Sequence, residues 1–132
     1  MVIDTSALVA ILQDEPERRA FNELIEAAAH RRLSTASFVE LSIVVEARRG
    51  AEGIRDLDLF LATASIELVA LDAAQARLAR EGFRRFGKGR HPAGLNLGDC
   101  FSYALARALG EPLLYKGDDF LRTDVRPVYV PS

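Results

Sequence analysis

Short apolar runs alternate along this chain with longer segments whose apolar residues recur three and four positions apart, and that alternation constrains the fold more than any other feature. Strands are expected at Val2–Asp4, Leu33–Thr35, Ile66–Leu71, Pro112–Tyr115 and Pro127–Val130. Helices are expected at Ser6–Leu12, Glu17–Arg31, Ser37–Arg49, Glu52–Thr63, Ala73–Arg85 and Leu97–Leu109. Strands separated by helices pair in parallel through crossovers, so the pattern predicts an α/β fold: three α/β/α layers around a mostly parallel sheet of four or five strands. Gly50 after Arg48-Arg49, and Gly110 before Glu111-Pro112, mark two helix ends. The one long breaker-rich loop is Gly87-Lys88-Gly89-Arg90-His91-Pro92-Ala93-Gly94. With 132 residues and no repeat or low-complexity tract, 1–132 reads as a single domain.

Composition removes several function classes. A formal net charge of −2 rules out a globally basic nucleic-acid coat, so any such contact needs a local patch. Cys100 stands alone, which excludes an intramolecular disulfide and a thiolate zinc site. His30 and His91 have no ligand residue three or four positions on. No apolar run approaches the roughly 20 residues of a membrane span, and Met1-Val2-Ile3-Asp4 carries no basic or apolar leader. A cytoplasmic protein without membrane contact is the expectation.

The acids carry the chemistry. Ligands of an open parallel sheet bind at the carboxyl ends of its strands, and four stretches of chain deliver a carboxylate there. Asp4 closes the first strand, Asp118 and Asp119 follow the fourth, Glu40 lies in the second turn of the helix after the second strand, and Asp99 opens the helix after the glycine-rich loop. Glu40 sits among Ala36, Ser37, Ile43, Val44 and Ala47, on a helix apolar nearly all round. Such a helix is expected to be buried, and a buried carboxylate needs a compensating charge. A solvated acid at a crevice rim is the alternative. Asp4 can equally be a helix N-cap, Asp99 a first-turn acid suited to the helix dipole, and Asp118-Asp119 simple turn residues. Carboxylates brought together repel and raise a pKa, which a hard divalent cation relieves. Oxygen ligands without imidazole or thiolate point to Mg²⁺, or Mn²⁺ in its place. Hydrolysis of a phosphodiester is the matching reaction.

Four blocks then carry a family resemblance: Val2-Ile3-Asp4-Thr5-Ser6-Ala7-Leu8, residues Ser34 to Leu41, residues Leu95 to Ala106, and Pro112 to Phe120. In order and spacing they resemble the motif blocks of PIN-domain VapC toxins, across essentially the whole chain. The resemblance implies a metal-dependent endoribonuclease that blocks translation by cutting tRNA or rRNA, a small VapB-like antitoxin as partner, and a homodimer. It makes Asp4 and Asp99 the principal metal ligands and Glu40 a ligand or the base that orients water, with Thr5 or Ser6 adding a hydroxyl. Gly117 stands where many PIN domains have an acid, which leaves Asp119 as the fourth acid and Asp118 as its rival.

RNA held at an acidic site needs cations for the flanking phosphates. Arg80, Arg84, Arg85, Lys88, Arg90 and His91 surround the glycine-rich loop, whose glycines would let it adapt; helix-dipole complementation is the alternative. Lys116 either steers phosphate or caps a strand end. Cys100 and most of the aromatics Phe83, Phe86, Phe101 and Tyr103 are expected to pack internally. Phe21, Leu24, Ile25, Leu41 and Val45 are either a groove for an antitoxin helix or core. Two other classes fit the acids less well. A haloacid-dehalogenase-like phosphatase wants a second Asp where Ser6 stands. A receiver-like module would use Asp4, Lys116 and a central acid, for which only Asp72 is available. Intact Asp4, Glu40 and Asp99 argue against a non-catalytic PIN binding module.

Overall fold

The computed structural model describes residues 1–131. Its elements run β1 (Val2–Ile3), α1 (Thr5–Leu12), α2 (Arg18–Ala27), β2 (Arg32–Ser34), α3 (Thr35–Thr63), β3 (Glu67–Val69), α4 (Ala73–Phe86), α5 (Leu97–Leu109) and β4 (Leu113–Leu114). The four strands form a parallel sheet in the order β3-β2-β1-β4. Alternate residues of a strand face opposite ways, and the two cores divide accordingly. Ile3, Leu33 and Leu114 pack with α1, α2 and α3, whereas Val2, Leu113 and Tyr115 pack with α4 and α5. The expected three layers are present.

The two helices expected on either side of Gly50 are both present, joined within α3 at a kink where Gly50 adopts the non-helical φ 62° and ψ −150°. Several other boundaries shift, three of them for a clear reason. The helix expected to reach Arg31 stops at Ala27. Beyond it the backbone is drawn toward β2, with the His30 carbonyl accepting from the Met1 ammonium at 2.8 Å, and the Arg31 guanidinium donating to the Glu26 and Ala64 carbonyls. β2 ends at Ser34 rather than Thr35 because the Ser34 hydroxyl accepts from Ala36 N–H at 3.2 Å and starts α3. The fifth strand shrinks to a single parallel bridge, Leu113 to Pro127, flanked by Leu113 N–H to the Arg126 carbonyl and Val128 N–H to the Leu113 carbonyl. Pro127 has no N–H with which to extend the ladder.

Helices α4 and α5 approach closely at Gly82, where an added Cβ would stand 2.6 Å from Tyr103 Cδ1. Gly82→Ala is therefore expected to destabilise the fold by about 1–3 kcal/mol through overpacking, read as a lower urea midpoint with an unchanged m-value. An unchanged midpoint would show that the two helices slide apart freely.

Candidate active site

The strands are so short that each hands over directly to a capping residue, and this is how the acids reach the sheet's carboxyl edge. Asp4 follows β1 and caps α1: its Oδ2 accepts from Ser6 N–H at 3.0 Å and from the Ser6 hydroxyl at 2.6 Å. The other oxygen, Oδ1, accepts a short hydrogen bond from the Ser102 hydroxyl of α5. The cap and the site are the same residue. Asp4 is only 3% exposed. Burial raises its pKa despite hydrogen bonds from Ser102, from Ser6 and from the backbone at Ser6 and Thr5.

Asp99 sits at the third position of α5 inside a capping box. The Asn96 carbonyl oxygen of the side chain accepts from Asp99 N–H at 2.9 Å, and Asp99 Oδ2 accepts from Asn96 N–H at 3.1 Å. Burial is the chief force that pushes its pKa up to about 7, aided by the negative charges of Asp4 and Asp119 and a hydrogen bond to Asp119, and opposed by the Asn96 N–H. Asp4, Asp99 and Asp119 are thus brought together. Asp118 and Asp119 are both exposed on the turn after β4, but Asp118 acts on the Tyr115 hydroxyl, whose pKa it helps burial to raise.

Glu40 joins from α3. Its carboxylate lies against Gly98, so that a Cβ there would collide with it, and Gly98 precedes Asp99. The expectation of a helix buried all round is corrected: α3 buries Ser37, Leu41 and Val45 but leaves Val39 and Ile43 at 55% and 65% exposure. Glu40 is half-buried at the crevice rim, because only one face of α3 has a layer against it. Among the described residues, no three of the acids converge tightly enough to ligate one ion by themselves.

Serines carry the support. Ser102 lies 3.4 Å from the Ser37 hydroxyl, the Ser37 carbonyl accepts from Thr5 Oγ1 at 3.5 Å, and Ser6 Oγ accepts from Lys116 N–H at 3.0 Å. The sequence expectation included a hydroxyl from Ser6 but gave no role to Ser37 or Ser102 and did not foresee the Asn96 cap. Their signal was spacing: Ser102 lies one helical turn after Asp99, and Ser37 one turn before Glu40.

The cations divide. Arg84 pairs with Glu81, Arg85 with Asp124, and Lys116 with Glu15 at 2.6 Å and Glu17 at 3.0 Å. Lys88 and Arg90 are exposed and, among the described residues, carry no ion pair; Arg90 lies over the Phe83 ring. The loop that holds them is hydrogen-bonded at its base. Lys88 N–H donates to Leu95, Leu95 N–H to Phe86, Ala93 N–H to His91 Nδ1, and the His91 ring meets Phe86 edge-on. Phe21, Ile25, Leu41 and Val45 are core, not groove. Asp72 caps α4 through Gln75 N–H. Cys100 is buried, and burial with Asp99's charge drives its thiol up to about 11, so it is no nucleophile.

A PIN-domain family model matches residues 1–126. Ribonuclease VapC30 of Mycobacterium tuberculosis is 56% identical over 131 residues, covering 99% of this chain and 100% of the relative. A ribonuclease VapC of Mycolicibacterium smegmatis is 57% identical over 129 residues, 98% of this chain and 100% of the relative. Among solved structures, VapBC2 of Rickettsia felis, bound to a DNA fragment from its promoter, superposes with a TM-score of 0.76 at 16% identity over 96% of this chain and 94% of that one. M. tuberculosis VapC20, a Sarcin-Ricin loop cleaving toxin, gives 0.70 at 17% identity over 96% and 98%. At those identities the superpositions speak for the fold.

The raised Asp99 has a consequence for stability. Its folded value lies above the ordinary 3.8, so the stabilisation it brings is complete at low pH and is lost as pH rises toward and through about 7. In chelator, the protein should weaken to urea between about pH 5 and pH 8. Asp99→Asn keeps an acceptor for Asn96 N–H and should be the more stable chain at pH 8, by about 1–2 kcal/mol after screening of the part-exposed carboxyl. Parallel pH profiles for the two proteins would contradict this.

Proposed function

The chain belongs to the PIN-domain family and, within it, to the VapC ribonucleases, and from that premise we propose that it is a magnesium-dependent endoribonuclease toxin that blocks translation by cutting tRNA or rRNA. The crowding of Asp4, Asp99 and Asp119, with Asp99 protonatable near neutrality, is the observation that carries this. An all-oxygen donor set suits Mg²⁺, with Mn²⁺ as a substitute. Asp4 and Asp99 would hold the ion, with Asp119 and Glu40 reaching it directly or through water, which accords with a cation that keeps several waters. Asp118 is the lesser candidate. Once bound, such an ion offsets the carboxylates' repulsion, acidifies a water and draws charge from the phosphodiester oxygens.

The chain's own side chains supply the rest. Ser6 and Ser102 hold both oxygens of Asp4. Glu40, with no cation against it among the described residues, is available to take a proton from the attacking water. Lys88 and Arg90 are the cations ready for phosphate; Arg84, Arg85 and Lys116 would have to leave the carboxylates they now pair with. A small VapB-like antitoxin and a homodimer belong to the same proposal, as does action in the cytoplasm. Exposed Val39, Ile43 and Leu97 give an apolar border around Glu40 and Asp99 for a partner to cover, and among the described residues no helix is long and apolar enough to cross a membrane.

Total RNA incubated with the purified protein tests this. Discrete fragments should appear with Mg²⁺ and not with chelator. Asp4→Asn and Asp99→Asn should each cut about a hundredfold more slowly or worse, Asp119→Asn should lose more than Asp118→Asn, and Glu23→Gln on the exposed face of α2 should match wild type. Equal cleavage by Asp99→Asn would remove that residue from the chemistry. Phosphate released from small monoesters, with RNA intact, would favour an aspartyl nucleophile.

A further inference from the structure

The hydrogen-bond donors around Asp4 are shared unequally between its two oxygens. A carboxylate offers roughly four acceptor positions in its plane, two on each oxygen. Oδ2 takes both Ser6 donors, the backbone N–H at 3.0 Å and the hydroxyl at 2.6 Å. Oδ1 takes only the Ser102 hydroxyl. These well-formed hydrogen bonds fill Oδ2 and leave one position open, on Oδ1.

Each hydroxyl is oriented from behind. Ser6 Oγ accepts the Lys116 N–H at 3.0 Å, which leaves its own proton for Asp4. Ser102 and Ser37 are both fully buried, with their hydroxyls 3.4 Å apart. Once the Ser102 proton is given to an ionised Asp4, Ser37 is the donor between the two serines. Ser102 has no water to turn toward.

Divalent ions differ in what they ask of a carboxylate. Ca²⁺ gathers roughly six to eight oxygens and readily takes both oxygens of one carboxylate. Mg²⁺ demands near-ideal octahedral geometry, which the narrow bite of a chelating carboxylate distorts. We propose that Ser6 and Ser102 are positioning residues that make Asp4 a one-oxygen ligand through Oδ1, and that Ser6 thereby selects Mg²⁺ against Ca²⁺. This rests on the reading of Asp4 as a ligand of a divalent ion in an RNA-cutting enzyme. Ser6 sets how many oxygens are offered, because its hydroxyl closes Oδ2. Ser102 sets direction alone, because Oδ1 is a single oxygen with or without that hydroxyl. Losing the Ser6 hydroxyl opens a second oxygen to the same ion; losing the Ser102 hydroxyl does not.

Ion binding without RNA tests this apart from catalysis. The full chain is loaded with Mn²⁺, and Mg²⁺ or Ca²⁺ is titrated in while the electron paramagnetic resonance signal of free Mn²⁺ reports displacement. Wild type should release Mn²⁺ at lower Mg²⁺ than Ca²⁺ concentrations. Ser6→Ala, checked for folding by circular dichroism, should move the ratio of the two affinities about tenfold toward Ca²⁺. Ser6→Thr, which keeps the hydroxyl, should restore it. Ser102→Ala should weaken both ions about tenfold and keep the ratio. A loosened fold would weaken both ions alike in either variant, so the contrast between the variants is not a structural effect. Equal displacement by Mg²⁺ and Ca²⁺ in wild type, an unchanged ratio in Ser6→Ala, or no ion bound at all overturns the proposal. Should Ser6→Ala fail to fold, wild type and Ser102→Ala decide: a ratio that shifts on loss of the Ser102 hydroxyl overturns it too, and a kept preference for Mg²⁺ supports it. Total RNA with Mg²⁺ separates the two readings. Ion selection without any cleavage defeats the nuclease and not the role of Ser6; cleavage by a chain whose selectivity ignores Ser6 defeats only that role.

Discussion

Like-charge repulsion among Asp4, Asp99 and Asp119 is the constraint around which this small domain is organised. Three carboxylates from distant parts of the chain approach one another at one edge of the sheet, and burial of Asp4 and of much of Asp99 keeps water from screening those two fully. A protein selected only for stability would not keep that arrangement. Here the fold commits its strand ends, two helix starts and a set of serine hydroxyls to maintaining it.

The means are economical because structural and functional roles coincide. β1 and β4 are two residues each, so the chain leaves the sheet before it can bury more than one residue per face. Asp4 and Asp99 both serve helix caps, and capping fixes a carboxylate's direction through backbone N–H donors that no side-chain motion can withdraw. One oxygen of Asp99 is held by Asn96, and the residue is left only part-buried for its neighbours to act on. Gly98, by lacking a Cβ, admits Glu40 from a different layer. Both residues are helix caps, a role that leaves each carboxylate compatible with the ligand role proposed for it.

The layered parallel sheet and the position of every acid at its carboxyl edge were legible in the sequence, because hydrophobic periodicity reports burial and burial positions strands and helices. What escaped was set by contacts between distant segments. The second helix is expected to stop near Arg31, yet its end at Ala27 is set by the Met1 ammonium and the Ala64 carbonyl, partners far away in the chain. The burial of α3 was overestimated because an apolar residue such as Ile43 looks the same whether a neighbouring layer covers it or not. The loop after α4 carries three glycines yet is tied down by Leu95 and by His91 against Phe86, partners that composition does not reveal. Likewise Arg84, Arg85 and Lys116 read as free cations until Glu81, Asp124, Glu15 and Glu17 are seen beside them.

If the acids exist to be neutralised by a divalent ion, then the proton that Asp99 retains near neutrality must leave when the ion arrives. Calorimetric titration of the metal-free chain with Mg²⁺ at about pH 6.5, repeated in buffers of different ionisation enthalpy, counts that proton directly. The account predicts release of a large fraction of one proton per ion bound, fading to none by about pH 9 as Asp99 ionises beforehand. Binding with no proton released at the lower pH, or no binding at either, would contradict it.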